Sequence, residues 1–121
     1  MKNRFRLFAC AGWLSLAACQ TLPPPTADLA DAKLRIEQAA AAEAETHAPV
    51  ELQFARDKLA RAEALSLDKD YTGAARLVAE ARADADLAQA RARAAKLRNE
   101  VARQSRDNDS LRAELLGGEA P

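Results

Sequence analysis

The stretch that decides the fold is DYTGAARLVAEARADADLAQARARAA, residues 70–95. Alanine recurs through it, with one valine, at alternating steps of four and three residues. The set is Ala74, Val78, Ala81, Ala85, Ala88, Ala92 and Ala95. Residues with this spacing lie on one face of an α-helix. Because alanine is the best helix former and has a short side chain, the pattern predicts a helix that partner helices approach closely.

This helix is expected to be unusually long. The sequence contains no proline between Tyr71 and Pro121, and Asp70 is a suitable N-cap. The glycine pair Gly117-Gly118 provides a stop signal. We therefore predict one helix over residues 71–116, roughly 68 Å long at about 1.5 Å per residue. Residues 117–121 are expected to form a disordered tail.

Two shorter helices are predicted upstream, over residues 27–46 and 49–67. Thr26 is a plausible N-cap for the first, and Pro49 fits the first turn of the second. Their apolar stripes are Leu29, Ala32, Ile36 and Ala39 in the first helix, and Leu52, Ala55, Leu59, Ala62 and Leu65 in the second. Ion pairs one turn apart are expected between Asp31 and Arg35 and between Asp57 and Arg61.

The composition favours packed helices over a thick globular core. After residue 19 the only aromatic residues are Phe54 and Tyr71, and alanine dominates. An alanine methyl contributes about 0.8 kcal/mol on burial, against about 1.5–3 kcal/mol for a leucine or phenylalanine. The fold class expected is therefore all-α, with two short helices stacked on a long, coiled-coil-like C-terminal helix.

A second seam follows the alanine face. Its members are Leu97, Val101, Gln104, Asn108, Leu111 and Leu115, again at steps of four and three. An asparagine at a core heptad position can fix register and oligomeric state. Asn108 can equally mark a solvated, frayed helix end, and the sequence leaves both readings open. We take Leu97, Val101, Asn108, Leu111 and Leu115 as a candidate seam for a protein partner or for self-association.

The N-terminus has the three parts of a secretory signal. Lys2, Arg4 and Arg6 form a basic region, residues 7–16 are mostly apolar, and Leu16-Ala17-Ala18-Cys19 follows. The apolar run is far shorter than the ~20 residues that span a bilayer as a helix. The last four residues resemble the lipobox of bacterial lipoproteins. The alternative is an ordinary secreted protein, cut at an Ala-x-Ala-like site, with an incidental cysteine.

The lipobox resemblance implies that residues 1–18 are a removed signal peptide and that Cys19 carries lipid, palmitate included. Cys10 is a poor second candidate, because the bulky Phe8 precedes it closely. Residues 19–26 are then a tether containing Pro23-Pro24-Pro25. In Gram-negative lipoproteins, aspartate after the cysteine retains the protein at the inner membrane. Gln20 by that rule implies the periplasmic face of the outer membrane.

Charge and residue inventory argue against several functions. Lys2, Arg4 and Arg6 precede residue 19 and all eighteen acidic residues follow it, so the remaining chain carries a formal charge of −3. We therefore expect no nucleic-acid binding. His47 is the only histidine, and we interpret it as an exposed helix-end residue. Without a nucleophile–base pair or a set of metal ligands, we expect no enzyme activity, no metal and no cofactor beyond the lipid.

The central sequence resembles the DUF4398 family of bacterial envelope lipoproteins over about residues 27–95. The landmarks are Ala48-Pro49-Val50-Glu51-Leu52, Ala55-Arg56-Asp57-Lys58-Leu59, Asp70-Tyr71, Ala74-Ala75, Leu77, Ala81, Asp84-Ala85 and Leu87-Ala88. The resemblance implies a helical hairpin behind a lipobox and assigns no catalytic or ligand residues. Some members continue into an OmpA-like peptidoglycan-binding domain, for which we expect no room here.

The function expected is that of a non-enzymatic, lipid-anchored periplasmic protein, acting as a structural or protein-interaction element of the outer-membrane envelope. The alternative is a peptidoglycan- or ligand-binding module, although no motif supports peptidoglycan binding. The sequence ends in Gly-Gly-Glu-Ala-Pro. We therefore expect no covalent link to peptidoglycan through a C-terminal lysine.

Overall fold

The computed structural model describes residues 23–117, which form four helices. They are α1 (Thr26–Ala41), α2 (Ala44–His47), α3 (Pro49–Leu67) and α4 (Tyr71–Gly117). No strand occurs within this described range. The expected all-α class with a long C-terminal helix is confirmed. The predicted signal peptide, Cys19 and the last four residues lie outside the described residues.

The core lies where α1 and α3 pack side by side against the first half of α4. Its buried members are small, and most are alanine. They are Ala32, Ile36, Ala39, Ala44, Ala48, Leu52, Ala55, Leu59, Ala62, Leu77, Val78, Ala81, Ala85, Ala88 and Ala92. Leu52 and Val78 are the largest fully buried side chains. Such short side chains let the helix backbones approach closely, and this compensates for the thin core.

The predicted seams of the three main helices are confirmed with small differences. Six of the seven predicted positions on α4 are buried, and Ala95, the last, is only partly buried. Leu77 is buried as well, because two helices cover α4 and widen its buried face. On the other helices, Leu29 and Leu65 are the seam members that stay partly exposed.

The first predicted helix is broken, which the sequence did not indicate. Residues 42 and 43 form a turn between α1 and α2, and Glu43 has a left-handed backbone with φ of 67°. No glycine or proline marks this site. The bend buries Ala44 and Ala48 and brings the Glu43 carboxylate onto Lys96 of α4. Tertiary packing therefore overrides the helical propensity of this alanine-rich segment.

The boundary between α3 and α4 is built by local hydrogen bonds. Lys69 adopts a left-handed conformation, and the Asp70 N–H donates to the Leu65 carbonyl at 2.9 Å, which closes a Schellman turn. The Gly73 N–H then donates to Asp70 Oδ1 at 2.9 Å, so the predicted N-cap is confirmed. The Thr26 cap is wrong, because Thr26 is already helical and the Pro25 carbonyl accepts the first helical bond.

Ion pairs join α1 to α4 along the edge of the core. Arg35 binds both carboxylate oxygens of Asp86, at 3.0 and 2.8 Å, and its Nε lies 3.0 Å from Asp31. Arg82 reaches back to Asp28 at 2.7 Å and to Asp31 at 2.8 Å. The predicted pair of Asp31 and Arg35 is thus confirmed, as part of a larger network. Because the alanine faces are smooth, these pairs help to fix the register of the two helices.

A second set of ion pairs joins α3 to α4. Lys58 Nζ lies 2.7 Å from Asp84 and 3.4 Å from Glu80, and Arg91 pairs with Glu51. The hydrogen bond that the Lys58 ammonium donates to Asp84 raises the pKa of Lys58 above its usual value. The pair predicted between Asp57 and Arg61 is not formed; Asp57 instead accepts a hydrogen bond from Gln53 at 2.7 Å.

Candidate interaction surface

The second half of α4 projects beyond the rest of the described fold. Ala92 is the last fully buried residue of the helix, and every residue from 101 to 117 is exposed. The residues from Leu97 to Gly117 extend about 30 Å at about 1.5 Å per residue. Most of the stability of a helix in a protein comes from packing of its apolar face, and the projection has no such packing within the described fold. The projection is therefore the part of α4 whose helical structure a packing partner would stabilise most.

The predicted seam lies on this projection, and its apolar members are open to solvent. The exposed fractions are 66% for Leu97, 65% for Val101, 54% for Leu111 and 76% for Leu115. Asn108 is exposed as well. Because these residues recur at steps of four and three, they share one face of the helix. The structure thus places the seam residues on one surface and leaves that surface without a partner among the described helices.

The polar middle of the seam forms a shallow depression of about 280 Å³. Val101, Gln104, Ser105, Asn108, Asp109 and Arg112 line it. The carboxylate of Glu100 accepts hydrogen bonds from Arg103 at 2.8 Å and from Gln104 at 3.0 Å. The bond from Arg103 lowers the pKa of Glu100 below its usual value. The middle of the seam therefore carries charged and amide side chains, and apolar residues lie on either side of it along the helix.

A wider groove, of about 800 Å³, lies at the base of the projection. It is lined by the end of α1 and by α4, through Gln38, Ala41, Ala42, Gln89, Arg93, Lys96 and Leu97. Lys96 at its rim pairs with Glu43 and lowers the pKa of that carboxyl, because the ammonium donates a hydrogen bond to it. Leu97 belongs both to this groove and to the seam, so the two surfaces are continuous.

His47 is less exposed than the sequence suggested. Its side chain is 20% exposed, and Nε2 lies 4.0 Å from Glu43 Oε2, one turn away. Among residues 23–117 no three His, Cys, Asp or Glu side chains come together in a way that could hold a metal ion. In the same range no helix combines the length and apolar character needed to cross a membrane. Cys19, the predicted lipidation site, lies before the described range.

The described residues define an all-α protein in which three shorter helices cover one half of a long helix and leave the other half bare. The chain belongs to the family described as "Domain of unknown function (DUF4398)", whose match covers residues 27–104. That range contains α1 except Thr26, all of α2 and α3, and α4 as far as Gln104. No curated protein and no solved structure matches the chain.

The sequence predicted the seam, but it did not predict the ion pairs between helices or the exposure of Leu87. The pairs of Arg35 with Asp86 and of Lys58 with Asp84 join residues far apart in the chain, and only the packed register brings them together. Leu87 was also missed as a surface residue. Its place in the heptad can be counted in the sequence, from Leu97 back through Ala94 and Ala90, but its exposure is known only from the packed helices.

Proposed function

We propose that this protein is a non-enzymatic, lipid-anchored element of the bacterial envelope that presents α4 for protein contacts. The observation that carries the proposal is the bare half of α4, where Leu97, Val101, Leu111 and Leu115 are more than half exposed on one face. Apolar residues arranged in a stripe on a projecting helix are typical of helix–helix recognition.

The anchor in this proposal is a lipid on Cys19, followed by a short proline segment. Support comes from the basic, apolar and small-residue order of residues 2–19 and from the lipobox that it resembles. Two or more acyl chains, at about 0.8 kcal/mol for each buried methylene, hold a protein stably on a membrane. Gln20 favours the periplasmic face of the outer membrane, by the Gram-negative sorting rule.

Metabolic labelling tests the anchor. The full chain is expressed in a Gram-negative bacterium with an alkyne-bearing palmitate analogue, and the lipid is detected on the purified protein. We expect label on the wild-type chain and on Cys10→Ala, and none on Cys19→Ala, which leaves the outer-membrane fraction. Equal labelling of wild type and Cys19→Ala contradicts the anchor.

Site-specific photo-crosslinking in intact cells tests the contact surface. A photoreactive residue at Leu111, on the seam, is compared with one at Ala113, which is exposed on the same turns but points off the seam. We expect a discrete crosslinked band from position 111 and none from position 113. Equal patterns from both positions, or no band from either, contradict a specific surface.

Binding to the cell wall is the competing function. The groove at the base of the projection favours it, because amide and cationic side chains there could bind peptidoglycan. That groove contains Gln38, Gln89, Arg93 and Lys96. Retention of the chain from Gln20 onward on purified peptidoglycan, lost in Arg93→Ala, supports the cell-wall module. Recovery of the chain in the unbound fraction supports the protein-contact proposal.

A further inference from the structure

We propose that the occupant of the seam is a second copy of this chain, and that two copies pair along α4 as a parallel, two-stranded coiled coil from Ala83 to Leu115. This deepens the proposed function and rests on it in one respect, namely that the seam is a protein-contact surface.

The exposed seam begins well before the projection. In heptad steps back from Leu97 it continues through Ala94, Ala90, Leu87 and Ala83. Leu87 is 43% exposed, Ala83 and Ala90 are exposed too, and Ala94 is partly buried. The opposite side of the same turns carries Ala85, Ala88 and Ala92, which are fully buried against α1 and α3. This part of α4 therefore has one apolar face in the core and another facing solvent.

The length of the combined seam matters for stability. From Leu97 to Leu115 it covers fewer than three heptads, which is short for a coiled coil. From Ala83 to Leu115 it covers 33 positions of the sequence. That is nearly five heptads and about 50 Å of helix. The proximal part is already held helical by α1 and α3, so pairing there orders less chain and costs less conformational entropy.

The residue types favour two strands. With Leu97 at position d, the a positions are Leu87, Ala94, Val101, Asn108 and Leu115, and the d positions are Ala83, Ala90, Leu97, Gln104 and Leu111. Val101 at a beside Leu97 at d is one instance of the combination, a β-branched residue at a with leucine at d, that favours parallel dimers. A single asparagine at a favours two strands as well, because its side chain pairs with the same residue of the partner.

Within the projection, charge favours the parallel orientation. In the projection the g positions are acidic, namely Glu100, Asp107 and Glu114, and the e positions are Arg98, Ser105 and Arg112. An antiparallel pair sets g against g and e against e. Acid would then face acid along one edge, and Arg98 would face Arg112 along the other. Like charges in such positions are unfavourable and suppress that arrangement.

A parallel pair sets g of one copy against e of the next heptad in the other. This brings Asp107 to the partner's Arg112 and Glu100 to the partner's Ser105. The one like-charged contact is that of Arg93 with the partner's Arg98. In the single chain Arg112 makes only a long contact of 3.5 Å with Asp109, so it is available for the new pair.

The mass of the chain from Gln20 onward, measured by light scattering over a concentration series, tests the proposal. Every core residue lies between Ala32 and Ala92, so this segment keeps the whole core. It contains no cysteine and needs no lipid, so the result does not depend on Cys19. We expect a monomer–dimer equilibrium that is mostly dimer at about 0.1 mM, as a micromolar Kd requires.

Three variants locate the contact. Leu111→Asp and Leu87→Asp each place a charge on the proposed seam, and we expect each to raise the Kd at least tenfold. Leu116→Asp is the matched control, because Leu116 has the same 76% exposure as Leu115 but lies off the seam. We expect this variant to dimerise like wild type. Circular dichroism checks that each variant keeps its helices.

Other outcomes overturn the proposal. A wild-type monomer at every concentration, or a trimer or tetramer, contradicts the two-stranded pairing. A dimer that Leu116→Asp weakens as much as Leu111→Asp contradicts this seam, and a dimer that Leu87→Asp leaves intact contradicts its extent. If the soluble chain is monomeric while position 111 still crosslinks another protein in cells, this inference fails and the proposed function stands.

Discussion

The Gly73 N–H donates to Asp70 Oδ1 at 2.9 Å, and the same approach leaves no space for a side chain on Gly73. A β-carbon there would lie 2.9 Å from Asp70 Cγ, closer still to Oδ2, and 3.0 Å from Leu65 Cδ1. The N-cap of α4 and the glycine three residues later are therefore one structural unit. That unit forms the first turn of α4, directly after the turn that ends α3.

Gly73→Ala is expected to destabilise the fold, although alanine is favoured by about 1 kcal/mol over glycine inside helices. The reason is that the new methyl displaces the Asp70 carboxylate, and loss of an N-cap costs about 0.5–2 kcal/mol. Urea denaturation gives the free energy of unfolding. In an Asp70→Ala background, where the carboxylate is absent, the same change should cost less. An equal cost in both backgrounds contradicts the coupling.

Lys69→Gly is expected to stabilise the fold by about 0.5–1 kcal/mol. Lys69 has φ of 64°, a conformation that is strained for residues with a β-carbon and free for glycine. Its neighbour Asp68 has an ordinary φ of −76° and provides the control, because glycine there gains nothing. Thermal melts should therefore move upward for Lys69→Gly and downward for Asp68→Gly. A fall in both would show that the turn is not strained.

Ala85→Leu is expected to destabilise the fold by about 1–3 kcal/mol, because three added carbon atoms must force closely packed helices apart. Ala85 is fully buried on the face of α4 that meets α1 and α3. Ala102→Leu makes the same change at an exposed position of the same helix, and its effect on the unfolding free energy should be small. Equal effects at both positions contradict a tightly packed alanine core.

Acid is expected to weaken the attachment of the α1–α2 turn. Lys96 holds the pKa of Glu43 below its usual value of 4.5, so the ionised carboxylate stabilises the fold above that pH. The contribution is lost as pH falls through the lowered pKa. Lys96→Met should therefore lose less stability between about pH 5 and pH 3 than wild type. Lys33→Met, which removes a charge elsewhere on the surface, should follow the wild-type profile.

The spacing of apolar residues and the helix start and stop signals were sufficient to predict most of the fold. Pro49 at the start of α3 and Asp70 at the start of α4 each act through local bonds, so the sequence predicts these boundaries correctly. The alanine face of α4 was predictable for the same reason, since burial there follows directly from the spacing. Helix α4 ends at Gly117, within one residue of the predicted end.

The sequence-based predictions are wrong where contacts between helices determine the local structure. The break at Glu43 has no local signal and depends on the burial of Ala44 and on Lys96, a residue of another helix. The choice of Gln53 over Arg61 as partner of Asp57 depends on side-chain rotamers that spacing does not fix. The exposed second face of α4 near Leu87 also required the structure, because only the packed helices show which side stays open.

Thiol crosslinking at position 111 tests the parallel pairing at the centre of this account most directly. The chain from Gln20 onward has no cysteine, so Leu111→Cys introduces a single thiol. In a parallel, in-register dimer the two thiols face each other across the seam, and we predict a covalent dimer under mild oxidation. In an antiparallel dimer with Asn108 opposite Gln104, position 111 faces Val101 instead. Crosslinking only in a mixture of Leu111→Cys and Val101→Cys chains, or in neither sample, would contradict the account.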